Sequence, residues 1–299
     1  MNKTLTVFTP TFNRKHTLPR LYISLCNQTS KDFLWLVIDD GSTDNTGSLI
    51  DKWIMDGIIV IQYVRKENGG MHTGHNTAYK NINTELNICI DSDDCLPVNA
   101  VESIIEKWKQ KGSFEYAGII GLDAFEDGRI VGTRIPDNLN AGTLQDLYFK
   151  HGVRGDKKLI LRTDIVKKYP LYPEYPEERL VPLGILYLMI DQDYKCLYSN
   201  DVYCFVEYLS DGSSSTILKQ YKQSPKGFAY SRLIQIQYSR GFFDLFKNSV
   251  HLVSSAIFAK DYTVLDKSTK KGVLFLALPF GFLVNLYIRF RLLLKSFAK

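Results

Sequence analysis

The sequence has few cysteines, and they do not follow the spacing of a disulfide framework or a zinc site. Five are present, an odd number, and no two of them form a C-x-x-C pair. Small secreted domains depend on paired cysteines, and structural zinc sites use closely spaced ones. We therefore expect reduced, mostly buried thiols in a cytosolic protein. The opening letters MNKTLTVFTPTFNR lead directly into a strand-like run, so we also expect no signal peptide.

The main part of the chain also lacks an excess of positive charge. The formal net charge is +5, yet residues 260–299 contain eight Lys or Arg against two Asp, which leaves about −1 for residues 1–259. Nucleic-acid binding by the main part would need a basic face, so we expect no nucleic-acid partner. The positive charge instead marks the C-terminal segment as a device for attachment.

A glycine-rich phosphate loop is missing after the first strand-like run, where the sequence reads TVFTPTFNRKHTLPR. A dinucleotide-binding dehydrogenase carries G-x-G-x-x-G at this place, so that class is excluded.

The chain shows no internal repeat and no low-complexity segment. Its 299 residues are enough for one large domain with a tail, which fits better than two equal domains.

The chain does contain the alternation of strands and helices that is typical of an α/β fold. Short apolar runs end at Phe8, Ile38, Val64 and Ile90, and amphipathic segments lie between them. Residues 100–111 predict a helix, YAGIIGLDAF a further strand, and KLILRTDIVKKYP a strand followed by a short helix. A long helical region is expected after SPKGFAY.

Polar residues follow four of these predicted strands, in the segments TPTFNR, DDGS, ENGGMHTGHN and DSDD. The carboxyl ends of parallel strands form the edge at which open α/β sheets bind ligands. Phe12 could stack on a base there, and Asp40 could accept the hydrogen bond of an imide N–H. Gly69 and Gly70 would allow a ligand to approach the backbone closely.

The DSDD cluster, residues 91–94, is the most specific of these segments. Adjacent carboxylates repel one another unless a cation joins them, and an oxygen-rich site suits Mg²⁺ or Mn²⁺ carrying a substrate diphosphate. A solvated turn or a helix cap is the alternative for such a short motif.

Taken together, the motifs TPTFNR, IDDGSTDNT, NGGMHTGHNTA and IDSDD resemble glycosyltransferase family 2 over residues 4 to about 110. The resemblance implies a GT-A fold, with a Rossmann-like mixed sheet flanked by helices and a helical C-terminal extension. It also implies inverting transfer from a nucleotide-sugar donor with Mn²⁺ or Mg²⁺ as cofactor. The residues that it places around the nucleotide are Thr9, Thr11, Phe12, Arg14, Asp40, Gly70, Asn76, Asp91 and Ser92, and the metal ligands are Asp93 and, as a competing ligand, Asp94.

Inversion needs a general base that is separate from the metal-binding carboxylates. The segment YPEYPEERLVPLG offers Glu174, Glu177 and Glu178. Because ERLVP resembles the segment in which related enzymes place this acid, we choose Glu178, with Glu177 second; the alternative is that all three are merely solvated. The segment YLSDGSSST, residues 208–216, is expected to be a lid over the diphosphate or an ordinary surface turn.

These inferences give a catalytic domain over residues 1–220, with a nucleotide-sugar half (1–110) and an acceptor half (111–220), and a helical C-terminal region over 221–299. The apolar run from Gly272 to Ile288 has basic residues on both sides. We expect it to lie on the cytoplasmic face of a membrane; a core or dimer-interface helix and a tilted span are the alternatives.

The expected function is the transfer of a sugar, most simply from a UDP-sugar, to a hydroxyl of a glycan or polyprenyl-linked acceptor in surface polysaccharide synthesis. A catalytically inactive nucleotide-sugar-binding scaffold and a sugar-phosphate nucleotidyltransferase are the alternatives. The second of these should carry a phosphate loop rich in glycine, which TVFTPTFNRKHTLPR does not provide.

Overall fold

The computed structural model describes residues 3–207 and 217–297. The chain divides into two compact units. Unit 1 comprises Met1–Leu171 and Met189–Tyr208, and unit 2 comprises Tyr172–Leu188 and Leu209–Lys299. The functional halves expected from the sequence stay a prediction, because the division into units says nothing about which part binds donor or acceptor.

Unit 1 is built on an eight-stranded mixed sheet with the order β3-β2-β1-β4-β7-β5-β8-β6. Strands β1 to β4 are parallel, β7 runs antiparallel between β4 and β5, β8 is parallel to β5, and β6 is antiparallel to β8. The sheet confirms the predicted α/β class. The strands are β1 (Leu5–Thr11), β2 (Phe33–Asp39), β3 (Ile61–Arg65), β4 (Leu86–Cys89), β5 (Tyr116–Ala124), β6 (Ala141–Gly142), β7 (Lys157–Arg162) and β8 (Lys195–Phe205).

Helices cover both faces of the parallel strands. Leu5 and Val7 of β1 share a hydrophobic cluster with α1, α2 and α4, whereas Phe8 packs on the other face against Tyr79 of α3, with a centroid distance of 5.6 Å. All seven residues of β1 are therefore buried, which is why the strand reads as a continuous apolar run. The helices are α1 (Leu18–Cys26), α2 (Thr46–Asp56), α3 (Met71–Asn81), α4 (Ala100–Lys111), α5 (Leu144–Phe149), α6 (Thr163–Val166) and α7 (Gly184–Asp193).

Unit 2 is helical wherever it has regular structure among the described residues, as expected for the C-terminal extension. Its helices are α8 (Ile217–Gln223), α9 (Pro225–Gln237), α10 (Phe242–Ala259), α11 (Thr263–Asp266) and α12 (Lys271–Phe297), and α7 begins in this unit. Ala229 and Ile236 of α9, Leu252 and Val253 of α10 and Leu274 of α12 form its hydrophobic core.

Among the described residues, α12 is the one helix long and apolar enough to cross a membrane, judged by length and composition over Lys271–Leu294. Pro279 lies inside it.

Candidate active site

The carboxyl ends of β1 and β2 lie side by side at one edge of the sheet. Thr11 is paired with Asp39, and the backbone N–H of Asp40 donates to the carbonyl of Thr11 at 2.8 Å. Phe12, the next residue along, is 44% exposed and therefore available to a ligand. The Thr11 hydroxyl is buried and, within the described part of the chain, has no hydrogen-bond partner. An unpaired donor beside an exposed aromatic ring is the kind of surface that a base can occupy.

Thr9 lies deeper in the strand than its predicted role requires. Its side chain is fully buried, and its hydroxyl accepts a hydrogen bond from the indole N–H of Trp35 at 3.0 Å. Thr9 therefore stabilises the β1–β2 pair by satisfying a buried polar group. This contact assigns it a structural partner and leaves its predicted contact with the nucleotide without support from the geometry.

Asp40 is held by a ring of donors from the loop after β3. One carboxylate oxygen accepts from the Lys66 ammonium at 2.6 Å and the Gly69 N–H at 2.9 Å, and the other accepts from the Gly70 N–H at 2.7 Å. The Asn68 side chain adds a contact at 3.2 Å. The carboxylate thus orders the loop that leads into α3. Lys66 was not among the residues predicted for the site, although its position as a basic residue directly after a predicted strand could have indicated it.

The glycines of this loop are required by its geometry. Gly70 has φ 93°, in the region that favours glycine, and it precedes the first residue of α3. A Cβ atom on Gly69 would lie 2.6 Å from the Thr73 hydroxyl, so no larger side chain fits without movement. Asn76, which was predicted to line the nucleotide site, is buried on α3. Gly69 and Gly70 leave the backbone of this loop without side chains, and the close approach of a ligand to it stays a prediction.

The DSDD segment forms a tight turn directly after β4. The Asp94 N–H donates to the Asp91 carbonyl at 3.1 Å, and the Asp93 carbonyl accepts from the Arg20 guanidinium at 3.2 Å. The Asp94 carboxylate is buried and accepts from the Glu207 N–H at 3.2 Å and the Cys204 thiol at 3.5 Å. Asp94 thus fixes the turn to the end of β8, whereas the Asp91 and Asp93 side chains are partly exposed.

Burial and repulsion by neighbouring carboxylates disfavour the ionised forms of Asp91 and Asp94. Burial raises the pKa of Asp91, which the positive charges of Lys158 and Arg14 partly offset and the charge of Asp93 increases. Burial likewise raises the pKa of Asp94 to about 7, against the opposing effect of Lys158. A cation bound at the turn would relieve both effects.

Lys158 on β7 is a positive charge built into this part of the sheet. Its side chain is 14% exposed, and its ammonium lies 3.6 Å from the Asp123 carboxylate of β5. Burial alone would lower the pKa of Lys158, but the negative charges of the nearby carboxylates hold it well above its usual value. The sequence signal was a lysine inside the apolar strand KKLILR.

The carboxylates fit a divalent metal that takes part of its ligands from the substrate. Among the side chains that the structure describes, no group of three or more His, Cys, Asp or Glu is arranged to hold a metal ion. Asp91 and Asp93, with the Ser92 hydroxyl between them, provide oxygen donors only, which suits Mg²⁺ or Mn²⁺ rather than a softer metal. The diphosphate of a nucleotide would have to supply further oxygen ligands.

Glu178 belongs to unit 2 and lies at the amino end of α9. Its two carboxylate oxygens accept from the Lys226 N–H at 2.9 Å and the Gly227 N–H at 2.8 Å. Burial raises its pKa, and these two hydrogen bonds oppose that rise. Glu174 and Glu177 are exposed. Glu178 is thus a helix-capping carboxylate, and each of its oxygens keeps one lone pair for another donor. The predicted lid, residues 208–216, lies outside the described residues.

Comparison with known proteins identifies the family. Residues 6–168, more than half of the chain, match the model of Glycosyl transferase family 2. The chain belongs to this family. The poly(ribitol-phosphate) β-N-acetylglucosaminyltransferase TarP of Staphylococcus aureus is 27% identical over 231 residues, which are 73% of this chain and 67% of TarP.

Solved structures share the fold at low sequence identity. TarS of Staphylococcus aureus in complex with UDP-GlcNAc has a TM-score of 0.61 and 16% identity, over 95% of this chain and 90% of that one. The mannosyltransferase PcManGT of Pyrobaculum calidifontis, with GDP-Man and Mn²⁺, has a TM-score of 0.57 and 14% identity, over 96% of this chain and 88% of that one. Such identities show the fold alone, which is the GT-A type predicted from the sequence.

Family membership makes this protein a glycosyltransferase, and it is related to an enzyme that modifies a poly(ribitol-phosphate). It favours sugar transfer over the nucleotidyl transfer considered above.

Proposed function

We propose that this protein is an inverting, metal-dependent glycosyltransferase that uses a UDP-sugar. The observation that carries the proposal is the meeting of two features at one edge of unit 1: the loop ordered by Asp40 and the carboxylate turn after β4. Asp40 and the carboxylate turn follow β2 and β4, the two parallel strands that flank β1, so the exposed ring of Phe12 lies at the same edge.

In this proposal the nucleotide binds along that edge. Phe12 stacks on the base, and the Thr11 hydroxyl and Asp40 contact its polar edge, with Thr9 supporting them from inside the strand. Arg14 lies close enough to Asp91 to affect its pKa, so these two would face the ribose and the diphosphate. Gly70 and Asn76 border the sugar diphosphate, and Ser92 contributes a hydroxyl to the turn.

Asp93 and Asp91 would hold Mn²⁺ or Mg²⁺, with Asp94 as the alternative ligand. Such a metal supplies positive charge to the diphosphate as the bond to the sugar breaks. Asp94 already accepts hydrogen bonds from Cys204 and Glu207, so its oxygens are less available than those of Asp93. The solved structure of PcManGT contains Mn²⁺ together with GDP-Man, which supports a metal in this fold.

The general base is proposed to be Glu178, with Glu177 second. The acceptor hydroxyl gives its proton to a carboxylate oxygen while its own oxygen forms a bond to the anomeric carbon, and the bond from that carbon to the diphosphate breaks on the opposite face. Burial raises the pKa of Glu178, so a neutral carboxyl can form readily after proton transfer. Its fixed position at the start of α9 also limits its movement.

The acceptor is proposed to be a hydroxyl of a glycan, a polyol phosphate or a polyprenyl-linked oligosaccharide used in surface polysaccharide synthesis. The name of TarP, which acts on poly(ribitol-phosphate), supports this class. We also propose a cytoplasmic location with attachment to the membrane through the C-terminal region, where a lipid-linked acceptor would be met.

Calorimetric titration with UDP-, GDP- and dTDP-sugars, each with Mn²⁺ and with EDTA, tests the donor and the metal. We expect metal-dependent binding of one UDP-sugar, lost in Asp93→Ala and kept in the matched control Asp127→Ala, whose carboxylate lies in an exposed turn with Arg129. Equal binding in EDTA would contradict the metal, and preference for another nucleotide would contradict UDP. With an accepted glycan, NMR of the product gives the anomeric configuration and so tests inversion.

A further inference from the structure

One narrow side of α12 packs against the rest of unit 2, mainly against α10. Five residues that recur every three or four positions are buried: Leu274, Ala277, Gly281, Asn285 and Ile288. An α-helix turns by about 100° per residue, so these side chains form a single stripe. Every described residue outside this stripe is at least partly exposed. The rest of the helix surface is therefore available for another contact.

The stripe is fixed against α10 by specific contacts. A Cβ atom on Gly281 would lie 2.4 Å from Cβ of Val253, so only glycine allows this approach. The Asn285 amide donates to the Ser254 carbonyl at 3.2 Å, and the Arg289 guanidinium lies 5.0 Å from the ring centroid of Phe258. The two helices thus run side by side and in the same direction.

The opposite side of α12 is apolar and exposed. Its largest members are 46–73% exposed, and on a helical wheel they lie roughly 100–180° from the stripe. An exposed apolar surface of this extent is unusual for a protein that has no partner. The exposed apolar side includes Phe275, Phe282, Leu283, Leu286, Phe290 and Leu293.

Positive charges separate the two sides. Lys271, Arg289 and Arg291 lie roughly 80° from the stripe, on its two flanks, between the packed and the exposed sides. The sequence from 267 to 299 contains no Asp or Glu. An apolar face bordered by cations, with no acidic residue, is the pattern of a helix that lies in a membrane interface.

The apolar surface continues onto the start of α10. Phe243 is 87% exposed and Phe242 56% exposed. The Phe242 ring stacks on Phe246 at 6.0 Å, and Phe246 meets Phe280 of α12 at 5.4 Å. We call the exposed side of α12 together with Phe242 and Phe243 the two-helix surface.

We propose that the two-helix surface binds a lipid bilayer that contains anionic lipids, with α12 lying in the plane of the interface. The proposal deepens the membrane attachment proposed above and is independent of the donor chemistry. Phe243 and the apolar side of α12 enter the boundary between head groups and acyl chains, and the flanking cations contact anionic head groups.

The position of α10 argues against a span. If α12 crossed the bilayer, α10 beside it would carry Asp244 and Lys247 into the hydrocarbon, which is costly for charged groups. Pairing of two copies through this surface would bring two sets of cations together. An anionic bilayer offers acyl chains to the apolar side of α12 and negatively charged head groups to its cations.

Flotation of the full chain with vesicles tests the proposal. We expect binding to phosphatidylcholine vesicles with about 30 mol% phosphatidylglycerol, and much weaker binding to pure phosphatidylcholine. Phe243→Ser and Phe290→Ser should each weaken vesicle binding by about tenfold, because each removes one phenylalanine side chain that would insert into the lipid. The matched control Phe114→Ser, at an 81% exposed phenylalanine of unit 1, should bind as the wild type does.

The depth of α12 distinguishes the in-plane arrangement from a span. Tryptophan placed at 275, 283 or 290 should show equal, shallow quenching by brominated lipids, whereas a span would make position 283 the deepest. The proposal would be overturned if the protein did not bind anionic vesicles, or if the phenylalanine variants bound as well as the Phe114→Ser control. It would also be overturned if the tryptophan at position 283 were quenched at the greatest depth. UDP titration of the same variants is read separately, so failure here leaves the donor site untouched.

Discussion

At the scale of single residues, Lys158 has the largest consequence for the site. Its side chain is 14% exposed and its ammonium contacts the Asp123 carboxylate, and the charges of Asp91 and Asp94 also act on it. A buried charge is tolerated only when it is paired. Lys158 therefore balances part of the negative charge of the carboxylate turn.

Replacing Lys158 by methionine should destabilise the protein by about 3–5 kcal/mol, because the carboxylates near it would be left buried without a counter-charge. Urea unfolding in EDTA measures this loss, and Mn²⁺ should restore part of it. The control Lys150→Met removes a surface pair with Asp146 and should change stability by less than about 0.5 kcal/mol. A Lys158→Met variant as stable as the wild type would refute this role.

His251 on α10 makes unit 2 sensitive to acid. Burial, with Arg232 and Lys247 nearby, lowers its pKa to about 4, so the folded protein keeps it neutral. Between pH 6.5 and 4 the unfolded chain takes up the proton and the folded one does not, so stability falls as the pH falls, by at most about 1.4 kcal/mol per pH unit. Between pH 7 and 5 the melting temperature of the wild type should fall further than that of His251→Gln. The control His16→Gln, at an exposed histidine, should show the same fall as the wild type.

At the scale of an element, α9 depends on its first turn. Pro225 begins the helix, and the next two backbone N–H groups donate to Glu178, a negative charge at the positive end of the helix dipole. Gly227 is needed there because a Cβ atom would lie 2.1 Å from the Leu180 carbonyl. The predicted base and the start of α9 are therefore one structural feature.

Variants of Glu178 can separate capping from catalysis. Glu178→Ala should cost about 1–2 kcal/mol of stability through loss of the cap. Glu178→Gln keeps one acceptor oxygen, so it should be more stable than the Ala variant, yet lose at least about 100-fold in kcat if Glu178 is the base. The exposed neighbour in Glu177→Gln serves as the control. If kcat fell only as far as the loss of stability explains, Glu178 would cap α9 and would not be the general base.

At the scale of the whole molecule, charge and hydrophobic surface are divided between the two units. Unit 1 has the main hydrophobic core and the carboxylate turn, and unit 2 has a smaller helical core and the two-helix surface. All five cysteines are free, which agrees with the reduced thiols expected from their spacing. No disulfide contributes to stability, so it depends on these cores and on whatever ligand the native state binds.

Metal and nucleotide should therefore stabilise the fold together. At a UDP concentration about 100 times its Kd, with Mn²⁺, the gain is about 2.7 kcal/mol, which corresponds to a rise of about 5–10 °C in Tm. Differential scanning fluorimetry should show little rise with UDP in EDTA and little in Asp93→Ala. An equal rise with and without metal would show that nucleotide binding does not need the metal.

The sequence alone determined the fold class, because the parallel strands are buried on both faces and read as apolar runs ending in polar turns. The motif residues followed from the same pattern, since Asp40, Gly70 and the DSDD segment each come directly after a strand or open a helix. Local rules of this kind act over a few residues, and a single sequence displays them.

The tertiary structure decided the partners of those residues, because contacts between distant segments leave no local pattern. Lys158 reaches Asp123 only because β7 runs antiparallel beside β5, and Glu178 caps a helix that starts 47 residues later. The two-helix surface likewise appears only when α10 covers one side of α12 and leaves the other exposed.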